Sequence, residues 1–159
     1  MEVKALLGLT NEFLRKDITL ARAYTQQVIR TSAQLQYIYG ICSGYVYMIS
    51  FSQSGLKMDS ALYYLGLTEQ LAKAHPDDTR IIKNYNQSAG LFYKAQGEYK
   101  RALPYFLENV KLATKDDENK AGTLLNLGNT YSQMADYGNA MKYHLQSLMI
   151  FEKIGNKRG

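Results

Sequence analysis

Residues 120–159 read KAGTLLNLGNTYSQMADYGNAMKYHLQSLMIFEKIGNKRG. Leu124, Leu127, Gly128 and Tyr131 recur at steps of three and four, which places them on one face of a helix. Ala140, Tyr143, Ser147 and Ile150 do the same for a second helix. Ala135-Asp136-Tyr137-Gly138 lies between them and supplies a turn. Gly128 and Ala140 are small where two antiparallel helices would cross, and Tyr131 and Tyr137 are large where the hairpin needs filling.

Working back from this stretch, the same signs recur. Gly90, Tyr93, Gly97-Glu98-Tyr99 and Ala102 reproduce them, Gly44, Tyr47 and Ala61 give a looser copy, and Ala21, Tyr24 and Val28 match the second-helix pattern. The glycines at 44, 90 and 128 are 46 and 38 residues apart, and the alanines at 61, 102 and 140 are 41 and 38 apart. Helices are expected over residues 2–15, 18–31, 33–52, 59–74, 78–96, 98–113, 117–134 and 137–154. Asp17, Asp77-Asp78 and Asp116-Asp117-Glu118 each precede a helix, where carboxylates cap free N–H groups and oppose the helix dipole. Ser52 to Asp59 is expected to be a longer connection than its counterparts. Pro104 falls early in its helix and predicts a mild bend at most.

The pattern L-G-x-x-Y at Leu127, Gly128 and Tyr131, followed by D-Y-x-x-A at Asp136, Tyr137 and Ala140, resembles the tetratricopeptide (TPR) repeat, a helix-turn-helix unit of 34 residues. The resemblance implies an all-α fold, a right-handed superhelix of about four stacked hairpins. The repeats would cover residues 2–32, 33–75, 77–114 and 117–155 as a single array. Asn156-Lys157-Arg158-Gly159 echoes Asn119-Lys120-Ala121-Gly122 and is expected to open a fifth, truncated repeat. Asn86, Thr68, Asn109 and Ser147 depart from the family pattern at positions where apolar residues are usual.

The sequence excludes much chemistry. Nineteen Lys and Arg against fourteen Asp and Glu give a net charge of +5, but the charges are interspersed, which is a solvated surface and no nucleic-acid patch. Cys42 is the single cysteine, so an internal disulfide and a cysteine zinc site are excluded. Two histidines, His75 and His144, and no H-E-x-x-H, P-loop or dinucleotide motif leave no metal, no cofactor and no catalytic residue to nominate. His144 stands where the family usually carries an aromatic, and a packing role is expected. The uncharged helix of residues 33–52 has an apolar part of about 15 residues, short of the ~20 that span a bilayer. A lone thiol fits the cytosol, the default compartment, and a periplasmic sensor region equally.

What remains is a binding surface. By the resemblance, the concave wall of the array is formed by the first helix of each hairpin. Its groove positions fall on Ile38, Ile41, Tyr45 and Met48, on Gln87, Leu91 and Lys94, and on Leu125, Asn126, Asn129 and Gln133. Such a groove runs from apolar to amide-rich and suits an extended peptide of a protein partner. The alternative for Ile38, Ile41 and Met48 is that they are core. The carboxylate clamp of chaperone-tail repeats is not matched, because Leu6, Ile41 and Gln87 stand where its first lysine belongs. The last helix also carries Met141, Leu145, Leu148 and Phe151 on a further apolar face, expected to be exposed and to support self-association.

The repeats resemble most those of bacterial TPR-containing sensor histidine kinases and transcription regulators. The function implied is a non-catalytic, partner-binding, sensory or regulatory region of a larger bacterial signalling protein. A freestanding scaffold of the spindle-orientation type, whose repeats also read N-L-G-N, and a peptide-pheromone receptor of the Rap type are the alternatives.

Overall fold

The structure is a computed structural model and describes residues 2–54 and 58–158. Among these residues it contains eight helices and no strand: α1 (Glu2–Phe13), α2 (Ile18–Gln34), α3 (Ile38–Ser54), α4 (Met58–Ala74), α5 (Thr79–Ala95), α6 (Tyr99–Lys111), α7 (Glu118–Gln133) and α8 (Tyr137–Arg158). The chain divides into two compact units, residues 1–88 and 89–159, with the boundary inside α5.

Four helix starts, those of α2, α5, α7 and α8, are capped by aspartates. Asp17 accepts from the N–H groups of Thr19 and Leu20, Asp117 from Lys120 and Asp136 from Asn139. Asp78 accepts from the N–H of Arg80 and holds the Arg80 guanidinium as well. The carboxylates at 78 and 117 are therefore helix caps, as the sequence implied.

Three turns share one backbone solution. Gln36, Gly97 and Ala135 take positive φ values of 52°, 75° and 59°. The residue after each donates its N–H five residues back: Tyr37 to Ser32 O, Glu98 to Tyr93 O and Asp136 to Tyr131 O. This is the six-to-one bond of a left-handed helix terminus, which glycine fits best. The first of these turns corrects an expectation. Residues 33 and 34 finish α2, and the next helix begins at Ile38 rather than at residue 33. No glycine or proline marked this stop, because Gln36 itself takes the left-handed conformation. At the other end of α3, helix continues to Ser54 and the next helix begins at Met58; residues 55–57 of the connection expected between Ser52 and Asp59 lie outside the described residues.

In the second unit, Ala102, Phe106, Ala121, Leu124, Leu127 and Ile150 form the core. The hairpin crossings are set by glycine. A Cβ on Gly90 would stand 2.6 Å from the Phe106 ring, and one on Gly128 would stand 2.6 Å from the His144 ring. The Tyr131 and Tyr143 rings stack at 5.5 Å. Tyr137, expected to fill this hairpin, is instead 70% exposed. It opens α8 one turn before Met141, on the side of the helix that faces away from α7, and the Tyr131–Tyr143 stack takes the filling role.

The first unit buries Ala21, Met48 and Phe51 together, with Phe13, Ile29, Tyr47 and Tyr64 against them. Gly44 differs from the other two glycines. A Cβ there would stand 2.4 Å from Ile29 of α2, so Gly44 makes room for the preceding helix rather than for its hairpin partner α4.

Many of the buried polar residues answer to their own helix. Thr10, Thr25, Ser52, Thr68 and Thr130 are buried. Each donates its hydroxyl to the carbonyl four residues earlier, at Leu6, Ala21, Met48, Tyr64 and Asn126. Ser147 is different: its hydroxyl donates to Ala121 O of α7 at 2.8 Å, a bond between helices. This gives a reason for serine at a position where the repeat pattern favours a small apolar residue. α6 runs unbroken through Pro104. α8 continues through Arg158.

Candidate functional site

The groove residues nominated from sequence separate into two sets with different fates. In the first unit, Ile38 and Ile41 are half-buried on α3, and Tyr45 is half-buried with its ring 5.7 Å from Tyr64 of α4. Burial pushes the Tyr45 hydroxyl above its ordinary pKa. Met48 is 9% exposed and belongs to the core cluster with Ala21 and Phe51. Of the two readings given for Met48, groove and core, this burial is that of the core reading. Gln87 lies half-buried on α5, also within the first unit.

The second unit presents a continuous polar face. Leu91 and Lys94 come from α5, and Leu125, Asn126, Asn129 and Gln133 come from α7. Leu91 is half-buried and packs on the core. Lys94 is half-buried, and its ammonium donates to Asn126 Oδ1 at 2.9 Å. This bond joins the two first-layer helices of the unit. Burial pushes the Lys94 pKa below the ordinary lysine range. Leu125 is 42% exposed, and Asn129 and Gln133 are exposed beside it. Tyr99 donates to Gln133 Oε1 at 3.5 Å and marks the end of the face.

Beyond that end lies an open recess of about 500 Å³, lined by Gly97 to Arg101 and by Met134. Sequence reasoning did not nominate it, although the Gly97-Glu98-Tyr99 turn was legible. The Arg101 guanidinium sits 4.0 Å from the Tyr93 ring centre and donates to the Tyr93 hydroxyl. The Tyr93 and Tyr105 rings stack at 5.7 Å beneath it. Lys94, two amides and Arg101, the last already paired with Glu98 of the recess, give donors to an incoming chain, and the amides and the Glu98 carboxylate give acceptors.

Among the described residues no group of three or more His, Cys, Asp or Glu gathers as a metal site would require. The Cys42 thiol is buried and its pKa pushed up to about 11, so it holds its proton at neutral pH. No helix among the described residues is long and apolar enough to cross a membrane. The apolar residues named at the last helix are exposed: Met141 at 66%, Leu145 at 52%, Leu148 at 51% and Phe151 at 41%.

Helical hairpins that cross at glycine define a helix-turn-helix repeat fold. Residues 80–153 match the model of the tetratricopeptide repeat, and this chain carries tetratricopeptide repeats. Over 63 residues the chain is 29% identical to human G-protein-signaling modulator 1, a match that covers 40% of this chain and 9% of that protein. The chain thus corresponds to a small part of that relative's length.

Proposed function

We propose that the chain is the partner-binding, sensory or regulatory region of a larger signalling protein, and that it holds an extended, acidic segment of a protein partner on the face of its second unit. The observation that carries this reading is the bond from Lys94 to Asn126. A half-buried ammonium with a single neutral acceptor retains donors for a carboxylate, and partial desolvation strengthens such a pair. Asn126 and Asn129 lie one turn apart and suit the backbone of an extended peptide. The recess at residues 97–101 receives the end of that peptide, with Lys100 and Arg101 at its rim. The larger protein is, on the resemblance of the repeats, a bacterial histidine kinase or transcription regulator. A scaffold or adaptor is the second reading, favoured by the match to a relative whose name marks it as a modulator of G-protein signalling.

Isothermal titration with a decapeptide of alternating Glu and Leu tests the site. The chain is expected to bind it, and to lose most of that affinity in Lys94→Met and in the presence of high salt. Equal affinity for the same peptide with Gln replacing Glu refutes the acidic specificity.

A further inference from the structure

Two sites in the chain share one construction: a tyrosine backed by a second tyrosine, a carboxylate beside it, and an arginine of the chain itself on both. Tyr39 has Tyr37 at 6.1 Å, and the Arg80 guanidinium lies 4.9 Å from the Tyr39 ring centre while pairing with Asp78 at 2.7 Å. Tyr93 has Tyr105 at 5.7 Å, and the Arg101 guanidinium lies 4.0 Å from the Tyr93 ring centre while pairing with Glu98 at 2.5 Å. The ring face attracts the flat cation, and the carboxylate takes its N–H edge.

A third set of the same parts stands on the α3–α4 hairpin of the first unit. Tyr63 meets Tyr64 edge to face at 5.3 Å, and Tyr64 meets Tyr45 of α3 at 5.7 Å. Asp59 precedes Tyr63 by four residues on α4 and is exposed. Residues four apart are neighbours on a helix face, and a helical side chain leans toward the N-terminus, which brings position 63 toward Asp59. Tyr63 is 64% exposed. Among the described residues no cation stands over Tyr45, Tyr63 or Tyr64, and no ion pair reaches Asp59. α3 bears no charge, and α4 bears Asp59, Glu69 and Lys73, of which the last two pair with each other at 2.8 Å. Lys57, the other basic residue between Arg30 and Lys73, lies outside the described residues. A lysine is a point charge and lacks the flat edge that both filled sites use. The dipole of α4 favours a carboxylate at its first turn but leaves the side-chain oxygens open.

We propose that Asp59 and Tyr63 bind an arginine side chain of a protein partner, with the guanidinium on the ring and its N–H edge on the carboxylate. The occupant is a basic segment, opposite in charge to the one proposed for the second unit. Leu62, 49% exposed next to Tyr63, gives the arginine stem an apolar surface.

NMR of the whole chain with labelled tyrosine rings reads the site, in titrations at low ionic strength with the capped peptides GSRSG and GSKSG. The Tyr63 ring resonance should move saturably with the arginine peptide, whereas Tyr39 and Tyr93, already covered by Arg80 and Arg101, should move much less. The lysine peptide should bind at least threefold more weakly. Asp59→Asn and Tyr63→Leu should each weaken arginine binding about threefold, the size of one exposed ion pair or one cation–ring contact, with Tyr64 as the reporter where Tyr63 is replaced. Tyr63→Phe keeps the ring and should retain the affinity. Both positions are exposed, and circular dichroism of each variant confirms its fold. A Tyr63 ring that stays unmoved up to about 10 mM peptide overturns the proposal. So does equal binding by the wild type, Asp59→Asn and Tyr63→Leu, and equal binding of the two peptides overturns the choice of arginine. Lys94→Met, which alters the polar face of the second unit, should change none of these values.

Discussion

Gly128 and His144 are matched across the α7–α8 crossing: a Cβ on the glycine would stand 2.6 Å from Cε1 and Nδ1 of the imidazole. The ring is the near surface of α8, and only a bare backbone lets α7 approach it. The Gly90–Phe106 pair repeats the arrangement with a phenyl ring at the same 2.6 Å separation. His144 is thus a packing residue whose position in the hairpin corresponds to that of a phenylalanine.

Substitution at these crossings should be costly in proportion to the space available. Gly90→Leu and Gly128→Leu are each expected to destabilise by about 1–3 kcal/mol through overpacking. Gly66→Leu should cost much less, because nothing stands within 4 Å of a Cβ at that position. Thermal melts followed by circular dichroism compare the three, and equal shifts would contradict the assigned crossings.

The left-handed turns make a prediction of the opposite sign. Ala135 holds φ at 59° with a side chain that disfavours it, whereas Gly97 holds φ at 75° without penalty. Ala135→Gly should stabilise by about 0.5–1 kcal/mol, the relief of left-handed strain less the added entropy of the unfolded chain. Gly97→Ala should destabilise by about 1 kcal/mol. Urea titrations with unchanged slopes are the appropriate measurement.

Asn126 and Asn129 should separate in their effects. Asn129 is exposed, so Asn129→Ala should leave the melting temperature nearly unchanged. Asn126→Ala removes the acceptor of the half-buried Lys94 ammonium and should lower it. Lys94→Met, added to Asn126→Ala, should recover part of the loss. The Lys94 pKa is depressed on folding by burial, so its charge opposes folding below the folded pKa, and that opposition fades as pH rises through it. The stability advantage of Lys94→Met over the wild type should accordingly shrink above neutral pH toward the ordinary lysine pKa. A gap that widens with pH would contradict this assignment.

Asp116 gives an acid-side prediction. Hydrogen bonds from Lys153 and from Lys120 hold its carboxyl below the ordinary aspartate pKa. A carboxylate depressed in this way adds stability above its unfolded pKa, and the contribution is lost as pH falls through the folded one. Asp116→Asn should therefore melt earlier than wild type at pH 7, with the gap closing on acidification. Because all three charges are at the surface, added salt should also narrow it. Melting curves across pH and salt check both trends.

The parts of the fold that periodicity and breakers encode were legible in the chain. Leu124, Leu127, Ala140 and Ile150 follow the 3.6-residue period and are buried as expected. Asp17 and Asp117 cap the helices they precede. The stop at Gln36 was not legible, because glutamine gives no composition signal for a left-handed turn and the tertiary packing imposes it. Gly44 looked like Gly90 and Gly128, yet a glycine announces a close approach without saying to which helix. For the proposed binding face, Asn126, Asn129 and Gln133 were nominated through the resemblance to the repeat family. The Lys94–Asn126 bond depends on two helices 32 residues apart in sequence, which spacing within one helix does not report. Met48 was left between groove and core for the same reason: an apolar residue on a first helix fits both equally until the neighbour is known.

The inward hydroxyls of Thr10, Thr25, Ser52, Thr68 and Thr130 bind the carbonyls of their own helices. Apart from the 3.5 Å contact of the Thr25 and Thr10 hydroxyls across α1 and α2, such groups ask only for shape from whatever lies beside them. If the coding segment of such a helix is duplicated or spliced elsewhere, these hydroxyls arrive with their carbonyl acceptors supplied by the same segment. Ser147 is the exception, since its acceptor lies on α7. α8 therefore travels well only in company with α7, and the pair is the smallest piece of this half of the chain that can be inherited intact.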